Sequence, residues 1–159
     1  MKKTAFVLAA IILFVGCASA TLTPLQRRVM ESKELEGTYE DAFRSTMAIL
    51  QDKQYIVSTS DHSGGIIIAK TALLPATKNW PALPVGAKEK LEISINLEKF
   101  TASIVKIRAS ILRYYFDLAG NPLHWWIKSL PPLVEEPQAY SDFYAEIQKE
   151  MFRRAQLNK

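Results

Sequence analysis

The stretch "KEKLEISINLEKFTASIVKIRASILRYYFD", residues 88–117, decides the fold. In its first half Leu91, Ile93, Ile95 and Leu97 alternate with Glu92, Ser94, Asn96 and Glu98. Successive side chains of a strand point to opposite faces, so this segment reads as a strand with one buried and one wet face. In its second half Val105, Ile107, Ala109 and Ile111 alternate with Lys106, Arg108 and Ser110. Between Phe100 and Ser103, Thr101-Ala102 reads as a tight hairpin turn. Across this hairpin, acids of the first strand face bases of the second, an exposed pairing worth little to stability.

Upstream lies a second hairpin. "QYIVSTSD" (54–61) is β-branched and aromatic, "DHSGG" (61–65) has turn chemistry, and "IIIAKTA" (66–72) reads as the returning strand. Before it, Thr38 and Asp41 form a capping-box-like pair that opens a helix running to about Lys53. Tyr39, Ala42, Phe43, Thr46, Met47, Ile49 and Leu50 recur along it at helical spacing. A second helix runs from Pro137 to about Gln156, with Glu136 as its cap and Tyr140, Phe143, Tyr144, Ile147 and Met151 as its apolar stripe. The residues from Arg27 to Gly37 read as an edge strand or irregular lead-in. The expected fold is α+β: an antiparallel sheet of about four to five strands, its apolar face covered by two helices.

Length and composition bound the class. At 159 residues, 48% hydrophobic and 23% charged, the chain is sized for one globular domain. The formal charge of +4 includes Lys2 and Lys3; without them 18 basic residues stand against 16 acidic ones. Basic and acidic residues are interleaved, so the electrostatic footprint of a nucleic-acid binder is missing.

Residues 1–16 read as a signal peptide: Met1-Lys2-Lys3 is a positive start, and "AFVLAAIILFVG" is an apolar core too short for a membrane span. Two cleavage sites compete. "ASA" at 18–20 suits an ordinary signal peptidase. "FVGC" at 14–17 resembles the lipobox of bacterial lipoproteins, with Phe14 where that family usually has Leu, Val or Ile. The resemblance implies that Cys17 becomes the lipid-bearing first residue. Residues 17–26 would then be a lipidated tether and 27–159 a single periplasmic domain. Either cleavage leaves no free thiol, which excludes disulfides and thiol catalysis within the mature chain. Ala18 in place of Asp implies the periplasmic face of the outer membrane.

Catalytic and metal chemistry lack residues in the right pattern. His62 and His124 have no metal-ligand spacing, no GxSxG is present, and the adjacency of Asp61 and His62 does not make a triad. No enzyme activity, cofactor or metal is expected. Trp80, Trp125 and Trp126 lie in the two long connections. They read either as packing over the sheet or as anchors for a partner.

The stretch "YEDAFRSTMAILQDKQYIVSTSDHSGGIIIAK" (39–70) resembles a helix–hairpin module of bacterial outer-membrane lipoproteins. Leu50-Gln51-Asp52, Tyr55-Ile56-Val57, Asp61, Gly65 and Ala69-Lys70 carry the likeness, and Lys53-Gln54 replaces the usual glycine before the strand. "AYSDFYAEIQKEMF" (139–152) resembles the closing helix, through Tyr140, Phe143, Ile147 and Phe152. The arrangement is similar to the helix-grip domains of BamC-type lipoproteins, which belong to the outer-membrane β-barrel assembly machinery. The resemblance implies a non-enzymatic, membrane-tethered domain. The expected function is an accessory or scaffold that binds another envelope protein. The alternative is a carrier of a lipid or other apolar ligand held between helices and sheet.

Overall fold

The computed structural model describes residues 22–76, 83–123, 134 and 136–157. Among these residues the fold is α+β, with three helices and six strands. In chain order they are α1 (Pro24–Met30), β1 (Ser32–Glu36), α2 (Tyr39–Asp52), β2 (Ile56–Asp61), β3 (Ile66–Lys70), β4 (Leu74–Pro75), β5 (Lys88–Lys99), β6 (Ile104–Phe116) and α3 (Pro137–Leu157).

The hairpin of residues 88–117 is the centre of the sheet. The order is β1-β6-β5-β3-β2, all antiparallel, with the short β4 continuing along the β3 side of β5. The alternation read from the sequence holds: Ile93, Ile95 and Leu97 are buried, as are Val105, Ile107, Ala109 and Ile111. On the wet face Glu98 lies opposite Lys106. The turn is longer than Thr101-Ala102: it spans 100–103, and the N–H groups of Phe100 and Thr101 both donate to the Ile104 carbonyl.

α2 and α3 cover the apolar face of the sheet. Their buried stripes, Ala42, Phe43 and Leu50 on α2 and Tyr140, Phe143, Tyr144, Ile147 and Met151 on α3, join one core with the strands. The space between them and the sheet is filled by Ile67, Ile93, Ile95, Ile107 and Ile147, each at most 1% exposed. Removing such a side chain to Ala typically costs about 2–5 kcal/mol. At the start of α2, Thr38 Oγ1 accepts from the Asp41 N–H (3.1 Å) and donates to the Asp41 carboxylate (2.7 Å), as its sequence implies. Glu136, expected as a cap for α3, directly precedes that helix; its carbonyl accepts from the Ala139 N–H (3.1 Å), and its carboxylate accepts from Arg113 Nη1 at 3.3 Å.

The end of α2 answers what replaces a glycine there. The Tyr55 N–H donates to the Leu50 carbonyl and the Gln54 N–H to the Gln51 carbonyl. These two bonds define a Schellman cap. Gln54 takes the left-handed position, with φ 61°, that glycine usually holds.

The edge strand expected within 27–37 is β1, at 32–36; the residues before it, to Met30, are the end of α1, a helix that the sequence reading did not include. α1 begins at Pro24, inside the stretch read as tether. The cause is a capping box at Thr23: its Oγ1 accepts from the Gln26 N–H (3.3 Å), and Gln26 Oε1 accepts from the Thr23 N–H (2.9 Å). Pro24 occupies the first turn, where its missing N–H costs nothing. The helix count therefore rises from two to three, and β1 and β4 bring the sheet to six strands.

Candidate binding groove

α1 is short and packs on the rest of the domain through one side only. Leu25 and Val29, one turn apart, remain 72% and 70% exposed, while Met30 reaches the core. α1 leads directly into β1, the edge strand, so these apolar side chains stand beside the outer edge of the sheet. α3 passes on the other side. Next to its buried stripe runs a second one, Ser141, Ala145, Gln148 and Phe152, of which Phe152 is 54% exposed. These three elements enclose an open groove of about 970 Å³, with residues 33–36 of β1 along its wall. That is within the size range of small-ligand and peptide sites.

Two polar contacts fix the groove's shape. Tyr144 Oη donates to the Glu31 carbonyl (2.5 Å) and accepts from the Ala109 N–H (3.2 Å), so it pins α3 across the junction of α1 and β1. Burial pushes its phenol far above the ordinary range, so it stays protonated as that donor. Gln148 meets the backbone of Glu36.

A second polar feature lies at the far end of the inner face. Arg113 continues the buried side of β6, and Glu89 that of β5. Arg113 Nε lies 3.6 Å from Glu89 Oε2, and its Nη1 lies 3.3 Å from Glu136 Oε1. Glu89 is 5% exposed at its side chain and Arg113 15%, so the pair is largely removed from water. A buried charge needs such partners. Sequence reasoning stopped the inward face of β6 at Ile111; the parity of Arg113 was the available signal.

Asp61 and His62, adjacent in the sequence, meet different partners. Asp61 Oδ1 accepts from the N–H and hydroxyl of Ser63 and from the Gly64 N–H, closing the hairpin turn. Ser63 and then Gly64 hold the Asp61 carboxyl below its ordinary value. His62 turns the other way: its Nε2 is 2.7 Å from Glu40 Oε2, and its ring stands edge-on to Phe43 and Tyr39. It joins the β2–β3 turn to the start of α2. Among the described residues no cluster of His, Cys, Asp or Glu could hold a metal ion. Cys17, Trp80, His124, Trp125 and Trp126 lie outside the described residues.

Sequence reasoning missed the groove, although "TPLQ" (23–26) carried the helix-start signal that creates it. No protein-family model matches this chain, and no curated protein matches it.

Proposed function

We propose that this chain is a membrane-anchored lipoprotein domain of the bacterial envelope. It is attached through a lipid on Cys17 at the periplasmic face of the outer membrane. It acts without catalysis as an accessory or scaffold that binds another envelope protein. The observation that carries the binding role is the open apolar groove between α1, β1 and α3, with Leu25, Val29 and Phe152 exposed around it. Exposed apolar patches rimmed by polar residues mark interaction surfaces. The lipid anchor rests on the leader and "FVGC" alone. Trp80, Trp125 and Trp126 are proposed as additional anchors for the partner. The same groove also favours the second reading, a carrier of a lipid or other apolar ligand, since its size suits one.

The test is in-cell photo-crosslinking from position 29 of the full-length chain. A discrete protein adduct that disappears on Phe152→Glu supports the scaffold; an adduct to lipid supports the carrier. No adduct from a stable, correctly located protein overturns the groove as a binding site. Mass spectrometry of the mature N-terminus tests the anchor separately: a chain starting at Thr21 without lipid overturns it.

A further inference from the structure

We propose that the outer edge of β1 takes an extended polypeptide strand in which apolar residues alternate with basic ones. This rests on the groove being a protein-docking surface and names the chemistry of its partner.

The backbone parity of β1 is set by its bonds to β6. The Ala109 N–H donates to the Glu31 carbonyl (2.8 Å), and the Gly37 N–H donates to the Ser103 carbonyl (2.9 Å). In an antiparallel ladder, residues facing the partner alternate with residues facing away. Glu31, Lys33, Leu35 and Gly37 therefore face β6, and Ser32, Glu34 and Glu36 face outward. At Glu36 the outward groups already meet an imitation of a strand. Gln148 Nε2 donates to the Glu36 carbonyl and its Oε1 accepts from the Glu36 N–H, both at 3.0 Å. A side-chain amide carries the same donor and acceptor as a peptide unit. Among the described residues, the outward N–H and C=O of Glu34 have no hydrogen-bond partner, and they open onto the apolar groove.

Charge and face then select the occupant. Lys33 and Leu35 lie on the helix-covered face of the sheet; Glu34 and Glu36 lie on the other. On the β6 side Arg108 stands across from Ser32 and reaches Glu31 at 3.4 Å, Lys106 stands across from Glu34, and Glu36 stands across from Ile104, so the three acids Glu31, Glu34 and Glu36 stand against two bases. A strand added antiparallel to β1 sets alternate residues beside Glu34 and Glu36, where Lys or Arg suits. The residues between them enter the groove, where Val, Ile or Leu suits. A second copy of β1 suits the edge poorly: pairing about a two-fold axis sets Glu34 against Glu34, or Lys33 against Lys33. Like charges directly opposite destabilise a sheet. The other edge, β2, is interrupted by a bulge between Val57 and Thr59, a device that discourages strand addition.

The probe is the synthetic peptide acetyl-Lys-Val-Lys-Val-Lys-Val-Lys-amide, titrated into the full-length protein in zwitterionic detergent. Binding is expected to slow amide exchange at Glu34 by about tenfold or more, because an amide joined to a ladder exchanges only when it opens. N-methylating the peptide's central amides, or replacing each of its Lys by Glu, is expected to weaken binding by about tenfold. Glu34→Lys on the protein is expected to reverse the preference between the two peptides. No binding up to about millimolar peptide, or binding with unchanged exchange at Glu34, would overturn the proposal. So would protection of Glu34 that rises with protein concentration alone, which means self-pairing. Equal protection by anionic phospholipid vesicles would assign the edge to lipid and overturn it as well. If Phe152→Glu abolishes the protein adduct formed from position 29 while the peptide leaves Glu34 unprotected, strand addition fails and the docking groove stands. If Phe152→Glu leaves that adduct intact, the groove itself fails.

Discussion

The side-chain amide of Gln148 and the backbone of Glu36 exchange two hydrogen bonds, each 3.0 Å long, between residues 112 positions apart. They tie the last helix to the edge strand and set the width of the groove at that point. Gln148→Ala is expected to cost about 1 kcal/mol, because the contact is solvent-exposed and its groups can return to water. Amide exchange at Glu36 should accelerate while that of the central strands stays unchanged. Denaturant melts and residue-resolved exchange check both.

Gln54 holds a left-handed backbone, φ 61°, in the Schellman cap that ends α2. A residue with a Cβ carries a steric cost there that glycine avoids. Gln54→Gly is expected to stabilise the domain by up to about 1 kcal/mol, seen as a higher denaturation midpoint. At Gly65 the opposite holds. Its φ is 69°, and a Cβ there would overlap the Leu97 carbonyl oxygen. Gly65→Ala should be destabilising in the same assay.

Arg113 and Glu89 form a charge pair inside the sheet's helix-covered face. Arg113→Leu leaves Glu89 buried without that cation and is expected to cost about 3–5 kcal/mol. The double substitution Arg113→Leu with Glu89→Leu removes both charges and should recover much of the loss. A double-mutant cycle in urea measures the coupling; near-zero coupling would show that the pair contributes nothing.

Several carboxylates titrate below their ordinary values in the folded chain: Glu40 through Arg44 and then His62, Asp61 through Ser63, Asp117 through Asn121, and Glu150 through Arg153 and Arg154. A carboxyl with a lowered folded pKa gives stability that is fully present above its unfolded value and lost as pH falls through the folded one. Stability from these groups should therefore be level down to about pH 5 and decline below about pH 4. Replacing Glu150 by Gln removes its share and should flatten the acid limb of the stability–pH curve.

Much of the architecture was legible locally. The alternation around Ile93, Ile95, Val105 and Ile107 defined a central hairpin with one wet face. The helical spacing of Phe43, Leu50, Tyr140 and Ile147 defined its cover. α1 was also written in the chain, in Thr23, Pro24 and Gln26, but a helix this short has almost no apolar periodicity to reveal it. Arg113 was harder to place. Its parity says inside and its charge says outside, and the conflict resolves only when the hairpin register brings Glu89 near it and α3 supplies Glu136.

Periodicity, caps and turns act over a few residues, so the sequence by itself determined the antiparallel hairpins, the helices that cover them and which face of each is buried. The proposed leader and lipid site at Cys17 rest on local pattern in the same way. The tertiary structure alone decided which backbone groups of the edge strand stay open, and that Leu25, Val29 and Phe152 surround one groove instead of a core. The reason is distance along the chain. β1 gains its neighbour from β6 and its partial cap from α3, and neither partner is implied by the five residues of β1 themselves. Which backbone groups stay open is a property of how the whole chain closes.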